Sequence, residues 1–298
     1  MIAAPGWAVN QGTLARELRL SGHGLHTGKR VNVRVHPEDV GHGIVFRRMR
    51  GAKQLALLPA SAALRLAQPL CTALQDADGW RVRTVEHLLA ALLACQIDHA
   101  TVEIDAEEVP ILDGSALPWL QAIEACGRLP LDAPKRFLRV LKTIMVENGH
   151  MHRTTMEPAD HYAMSVTNDL KGFGEMNWQG IIDPASFATD IAPSRSYGRL
   201  RWALPAILFG YLRGQPILRG ARPSCTATIV GADVIGGMRL PMEFVRHRVL
   251  DLVGDLALLG APLLGKVTAL RPSHEMNYRL CAALLAQPDA WEWATTTH

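Results

Sequence analysis

The chain lacks the features that would tie it to a membrane or to a disulfide scaffold. Its five cysteines (Cys71, Cys95, Cys126, Cys225, Cys281) are scattered over 298 residues with no C-x-x-C pair, which argues against both a disulfide framework and a thiolate zinc site. A reducing cytoplasm is the expected compartment. The opening MIAAPGWAVNQG has neither a basic nor an apolar leader region. The longest uncharged apolar stretch, residues 202–212, is far short of a bilayer span, so no transmembrane segment is expected. An excess of one charge is missing too: 31 Lys and Arg stand against 28 Asp and Glu, net +3. With no basic stripe, nucleic acid is not an expected partner, whereas a small anionic substrate stays open.

What is present is apolar material in regular patterns. A hydrophobic content of 48% is enough for real cores in one large or two ordinary domains. Residues 31–36 and 101–105 alternate like strands, and 87–95 and 117–126 repeat like helices. Farther on, 137–146 and 162–166 read as strands, and 242–259 and 276–285 as helices. Between the two sets, Pro130, Pro134 and flanking charges interrupt the pattern, which suggests domains of 1–129 and 130–298. Each half mixes strands with helices, an α+β arrangement rather than a long βαβ series.

Two segments carry chemistry. His247 and Asp251 stand four apart in a helical run, so their side chains leave the same face and can converge on one cation. His87, behind Glu86 at the mouth of an apolar helix, would complete a set of three. Two imidazoles and a carboxylate with an open fourth position are how hydrolytic zinc sites are built, and Glu86 is placed to take a proton from water. Asp251 also lies within Val249-Leu250-Asp251-Leu252-Val253, where an unpaired carboxylate would be costly to bury. A cation would neutralise it. Zinc is the expected ion, although the same ligands would accept ferrous iron.

The strings SGHGLHTGK (21–29), GHGIVFRR (41–48), LCTAL (70–74), TVEHLLAAL (84–92), EVPILDGSA (108–116), EFVRHRVLDLVGDLALLG (243–260) and RPSHEMN (271–277) give the chain its resemblance. From about Thr13 to Leu285 it resembles the zinc-dependent UDP-3-O-acyl-N-acetylglucosamine deacetylases of lipid A synthesis. The resemblance implies two similar domains, each a sheet layered with helices, packed face to face with the zinc between them. It implies His87, His247 and Asp251 as metal ligands and Glu86 as the general base. It also implies His274 as a charged acid and oxyanion stabiliser, held protonated by Asp255. Ser196 stands where the family has a threonine that helps bind the amide oxygen, with a plain turn serine as the other reading. Arg248 replaces a family lysine and keeps a positive charge toward substrate. Leu25, Cys71 and Thr72 fall where the family shapes its cleft and acyl entrance, with core packing as the alternative. Asp113-Gly114-Ser115 reads as a turn.

The implied substrate is an acylated UDP-amino sugar, handled by a cytoplasmic monomer with peripheral contact to the inner membrane face allowed. Departures cluster away from the metal chemistry. A family Gly-Gly-Ser-Leu-Asp-Asn loop is Arg222-Pro223-Ser224-Cys225-Thr226-Ala227 here, a usual asparagine is Gly236, and a His-Pro strand is replaced by residues 171–178. This leaves open a paralogue acting on another N-acyl amino sugar, or an idle acyl-binding regulator. Within an apolar insert near 195–225, residues 201–213 read either as an acyl passage or membrane-facing surface, or as a buried helix kinked at Pro205.

Overall fold

The structure, a computed structural model, describes residues 5–296. Its α-helices are α1 (Glu86–Ala94), α2 (Leu117–Cys126), the single turn α3 (Pro184–Ser186), α4 (Leu200–Leu212), α5 (Glu243–Leu256) and α6 (His274–Leu285). The N-terminal half builds a five-stranded sheet in the spatial order Leu18–His23, Arg30–Pro37, Ala100–Ile104, Ile44–Arg50, Lys53–Pro59. Along Arg30–Pro37 the valines 31, 33 and 35 are buried while Asn32 and Arg34 face solvent, the period-two pattern of a half-buried strand.

The C-terminal half repeats this order with Ile144–Asn148, His152–Glu157, Leu263–Leu270, Tyr162–Leu170 and Gly174–Ile181. In both halves two hairpins come first, then a buried helix. A central strand follows that pairs antiparallel to one hairpin and parallel to the other, and a second helix closes the unit. The two halves are thus similar α+β layers. Each carries an insert between its second hairpin and its first helix. Arg65–Leu66, Ala73–Gln75 and Arg81–Arg83 make a small sheet in the first insert, and Tyr197–Arg199, Ala227–Val230 and Asp233–Val234 make one in the second.

The halves meet through α1 and α5. Almost every residue of α1 is buried, as its unbroken apolar run demands. The helices can approach closely because α5 carries a glycine at the crossing: a Cβ on Gly254 would lie 2.1 Å from the Glu86 carbonyl oxygen.

Three elements differ from the sequence expectation. Residues 137–146 are two strands, Arg136–Val140 and Ile144–Asn148. The proline-bearing stretch read as a break is a strand, Arg128–Pro134, paired antiparallel with Asn10–Leu14, and the 129/130 division falls inside it. A two-stranded ribbon leaves one edge of each strand unladdered, so prolines are tolerated there. The apolar helix α4 is not buried: only Gly210 is shielded, and Leu204 is 77% exposed.

Candidate active site

The helix ends gather the chemistry at the junction of the halves. Glu86 and His87 open α1, His247, Asp251 and Asp255 stand on successive turns of α5, and His274 opens α6 behind the N-cap Ser273. His247 Nε2 lies 3.4 Å and His87 Nε2 3.7 Å from Asp251 Oδ1, all buried. The two imidazoles stand edge to face with centroids 5.1 Å apart. His247 Nδ1 is 3.2 Å from the Ser194 carbonyl oxygen. A carbonyl can only accept, so Nδ1 carries the proton and the Nε2 lone pair turns inward. His87 Nδ1 is buried without a partner.

Burial lowers the His247 pKa to about 4, against the pull of Asp251, and so keeps this imidazole neutral. Burial opposes ionisation of Asp251, yet a hydrogen bond from His87 and the positive charges of His274 and Arg248 hold its carboxyl well below the usual range. Two imidazoles and one carboxylate, with donor atoms within 4.8 Å of one another, fit a divalent cation with room for further ligands.

A second constellation abuts the first. Asp255 Oδ2 lies 2.8 Å from His274 Nδ1 and accepts from Asn277 Nδ2 at 2.8 Å, while Oδ1 accepts the Thr72 hydroxyl at 2.5 Å. Burial alone would depress His274, but the carboxylate against its ring outweighs burial and raises it to about 10, so it is an imidazolium at neutral pH. Thr72 also donates its backbone N–H to Glu86 Oε2 at 3.1 Å. Glu86 is pushed up to about 8, chiefly by burial, with the nearby His274 charge opposing. Glu86, Asp251 and His274 offer donor atoms within 4.8 Å of one another, so two carboxyl groups and an imidazolium share one pocket.

Of the other residues singled out by sequence, Ser196 places Oγ 3.3 Å from His247 Nε2. Arg248 donates from Nε to the Tyr197 hydroxyl at 2.9 Å and from NH1 to Asp251 Oδ2 at 3.3 Å, so it braces the carboxylate. Cys71 is buried beside Gln68, and burial pushes its thiol up. Leu25 packs instead with Ile111 and Cys225 in a separate small cluster. Asp113 accepts from Ser115 N and Oγ, as a turn requires.

Sequence reasoning missed the Ser194 carbonyl, Asn277, Gly254 and the linking place of Thr72. Asn277 is three residues past His274 on one helix face, a spacing that was available. The carbonyl has no side-chain signal.

The model of the family described as UDP-3-O-acyl N-acetylglycosamine deacetylase matches residues 11–286. Among similar proteins, the UDP-3-O-acyl-N-acetylglucosamine deacetylase of Myxococcus xanthus is 37% identical over 95% of this chain and 88% of its own length. That of Pseudoalteromonas translucida is 34% identical over 96% and 94%, and that of Vibrio cholerae 33% over 96% and 93%. With a matching model over most of its length and relatives of this identity and coverage, the chain belongs to the UDP-3-O-acyl N-acetylglycosamine deacetylase family.

Proposed function

We propose that this protein hydrolyses the N-acetyl amide of UDP-3-O-acyl-N-acetylglucosamine in lipid A biosynthesis, releasing acetate and a free amine. The observation that carries the reading is the gathering of Glu86, Asp251 and His274, whose donor atoms lie within 4.8 Å of one another. His87, His247 and Asp251 would hold the ion, with zinc the best match to that donor set. When bound there, zinc would supply Lewis acidity to water and to the amide carbonyl.

The chain's own groups account for the proton movements. Glu86 has one oxygen held by the Thr72 N–H, which leaves the other to take a proton from the attacking water. His274 has Nδ1 engaged by Asp255, so its Nε2–H is the group left to stabilise the oxyanion and then protonate the departing amine as the C–N bond breaks. Thr72 and Asn277 fix Asp255 and hence the ring. Ser196 supplies a hydroxyl near the amide oxygen, and Arg248 keeps positive charge at the substrate side. Ile207 and Phe209 of α4 are proposed to border the route of the acyl chain. Replacing either with Asp should raise KM more for long-chain than for short-chain substrates.

The test is metal-dependent acetate release from the UDP-sugar by purified protein, with Glu86→Ala as control. Turnover that is lost in Glu86→Ala supports the reading. A folded, metal-loaded and inactive wild type overturns it and favours a paralogue with another N-acyl amino sugar, the reading suggested by the altered loop at 222–227. Metal analysis of protein purified without added ions decides between zinc and iron. We propose a cytoplasmic monomer that makes peripheral contact with the inner face of the inner membrane.

A further inference from the structure

Helix α4 presents to solvent the residue types that most other helices of this fold bury. Leu204, Leu208 and Leu212 stand at i, i+4 and i+8 and are 77%, 60% and 75% exposed, with Tyr211 beside them at 72%. Spacing by four puts the leucines on one face. The opposite side, with Gly210 and Ile217 in contact, is what seats the helix on the protein.

The charge along this segment of the chain is of one sign. Between Asp190 and Asp233 there is no acidic residue, while Arg195, Arg199, Arg201, Arg213, Arg219 and Arg222 are all present. Arg195 is spent on Glu243, and Arg199 donates to the carbonyls of Gly231 and Lys171. Arg201, Arg213, Arg219 and Arg222 are exposed. Arg201 lies over the Trp202 ring at 5.3 Å and Arg213 over the Phe209 ring at 5.2 Å, so each end of the apolar face carries an aromatic–arginine pair. An apolar face between such pairs, in a segment free of acidic residues, matches an interfacial helix: leucines enter the acyl boundary, rings sit at headgroup level and guanidinium groups meet phosphates.

We infer that α4 docks the protein on the surface of an anionic phospholipid bilayer, with Leu204, Leu208 and Leu212 inserted and Arg201 and Arg213 on the headgroups. No helix among the described residues is long and apolar enough to cross a membrane, so this contact is peripheral. The inference deepens the proposed location at a membrane face by naming the surface and the lipid charge, and its test does not use turnover, so failure of one reading leaves the other standing.

The experiment is co-sedimentation of the metal-loaded full chain with vesicles of phosphatidylglycerol and phosphatidylcholine, against phosphatidylcholine alone, at low and high salt. Binding to the anionic vesicles that weakens with salt is expected. Leu204→Asp with Leu208→Asp should weaken it on the order of a hundredfold, and Arg201→Gln with Arg213→Gln roughly thirtyfold at low salt. Circular dichroism melting checks that each variant is folded. Should the aspartate pair unfold the insert, the arginine pair and the salt titration of wild type decide. Wild type left in the supernatant with both vesicle types overturns the inference, as does equal binding to both. Light scattering that finds a dimer dissociated by the same aspartate pair also overturns it, by assigning the face to a second copy of the chain.

Discussion

At the scale of single residues, the proposed roles separate holding the metal from moving the proton. Asp251 touches both imidazoles, so Asp251→Ala should lose most of the bound metal. Glu86→Ala should keep metal at full stoichiometry while turnover falls by about 10²–10⁴, and elemental analysis beside an acetate assay separates the two. Thr72 acts through others: its hydroxyl and N–H fix Asp255 and Glu86. Thr72→Val should lower kcat with KM little changed, and Thr72→Ser should restore most of it. Either substitution raising KM alone would make Thr72 a substrate contact. The Asp255–His274 pair also has a pH signature. His274 is raised from 6.5 to about 10 on folding, so its stabilisation is full below pH 6.5 and is lost as pH rises toward 10. In urea unfolding, the stability gap between wild type and His274→Gln should therefore shrink from pH 6 to pH 10. The closeness of His247 and Asp251 was legible because i, i+4 spacing on a helix converts directly into geometry. Thr72 was legible only as a position, because the partner that gives it meaning is 183 residues away.

At the scale of elements, the crossing of α1 and α5 decides whether ligands from two halves can meet. Gly254 is the contact point, with no room for a methyl group against the Glu86 carbonyl. Gly254→Ala must push the helices apart at the turn between Asp251 and Asp255. Overpacking of this kind costs about 1–3 kcal/mol, measurable by urea titration, and a lowered metal affinity should accompany it because His87 and His247 ride on different helices. A variant with unchanged stability and metal content would show that the crossing is looser than its geometry implies. The glycine was visible in the sequence, but a helical glycine has no meaning until its neighbour is known. Four helices and four strand stretches were legible from period alone, α2 to its end residues. The Arg128–Pro134 strand was not, because its partner Asn10–Leu14 lies far off in sequence and prolines mimic a linker. Helix α4 misleads in the other way: apolarity signals burial only where there is a core to enter, and the insert has none large enough.

At the scale of the whole molecule, two similar layers share one candidate metal site at their seam. Each half has its own sheet and buried helices, and the α1–α5 interface is apolar, so the fold does not depend on the ion for its existence. A bound ion would nevertheless be a tie between halves, since His87 comes from one and His247 and Asp251 from the other. A ligand that binds only the folded state stabilises it by about 2.7 kcal/mol at a hundred times its Kd. Chelation should therefore lower the Tm of the wild type without abolishing cooperative melting. The Asp251→Ala protein, lacking the bridging carboxylate, should melt at the same temperature with and without chelator. If wild type too were indifferent to chelator while holding metal, the bound ion would lie outside this seam. If chelation instead unfolded the protein outright, the α1–α5 packing would be weaker than its burial indicates, and the metal would be a condition of the fold as well as of the chemistry.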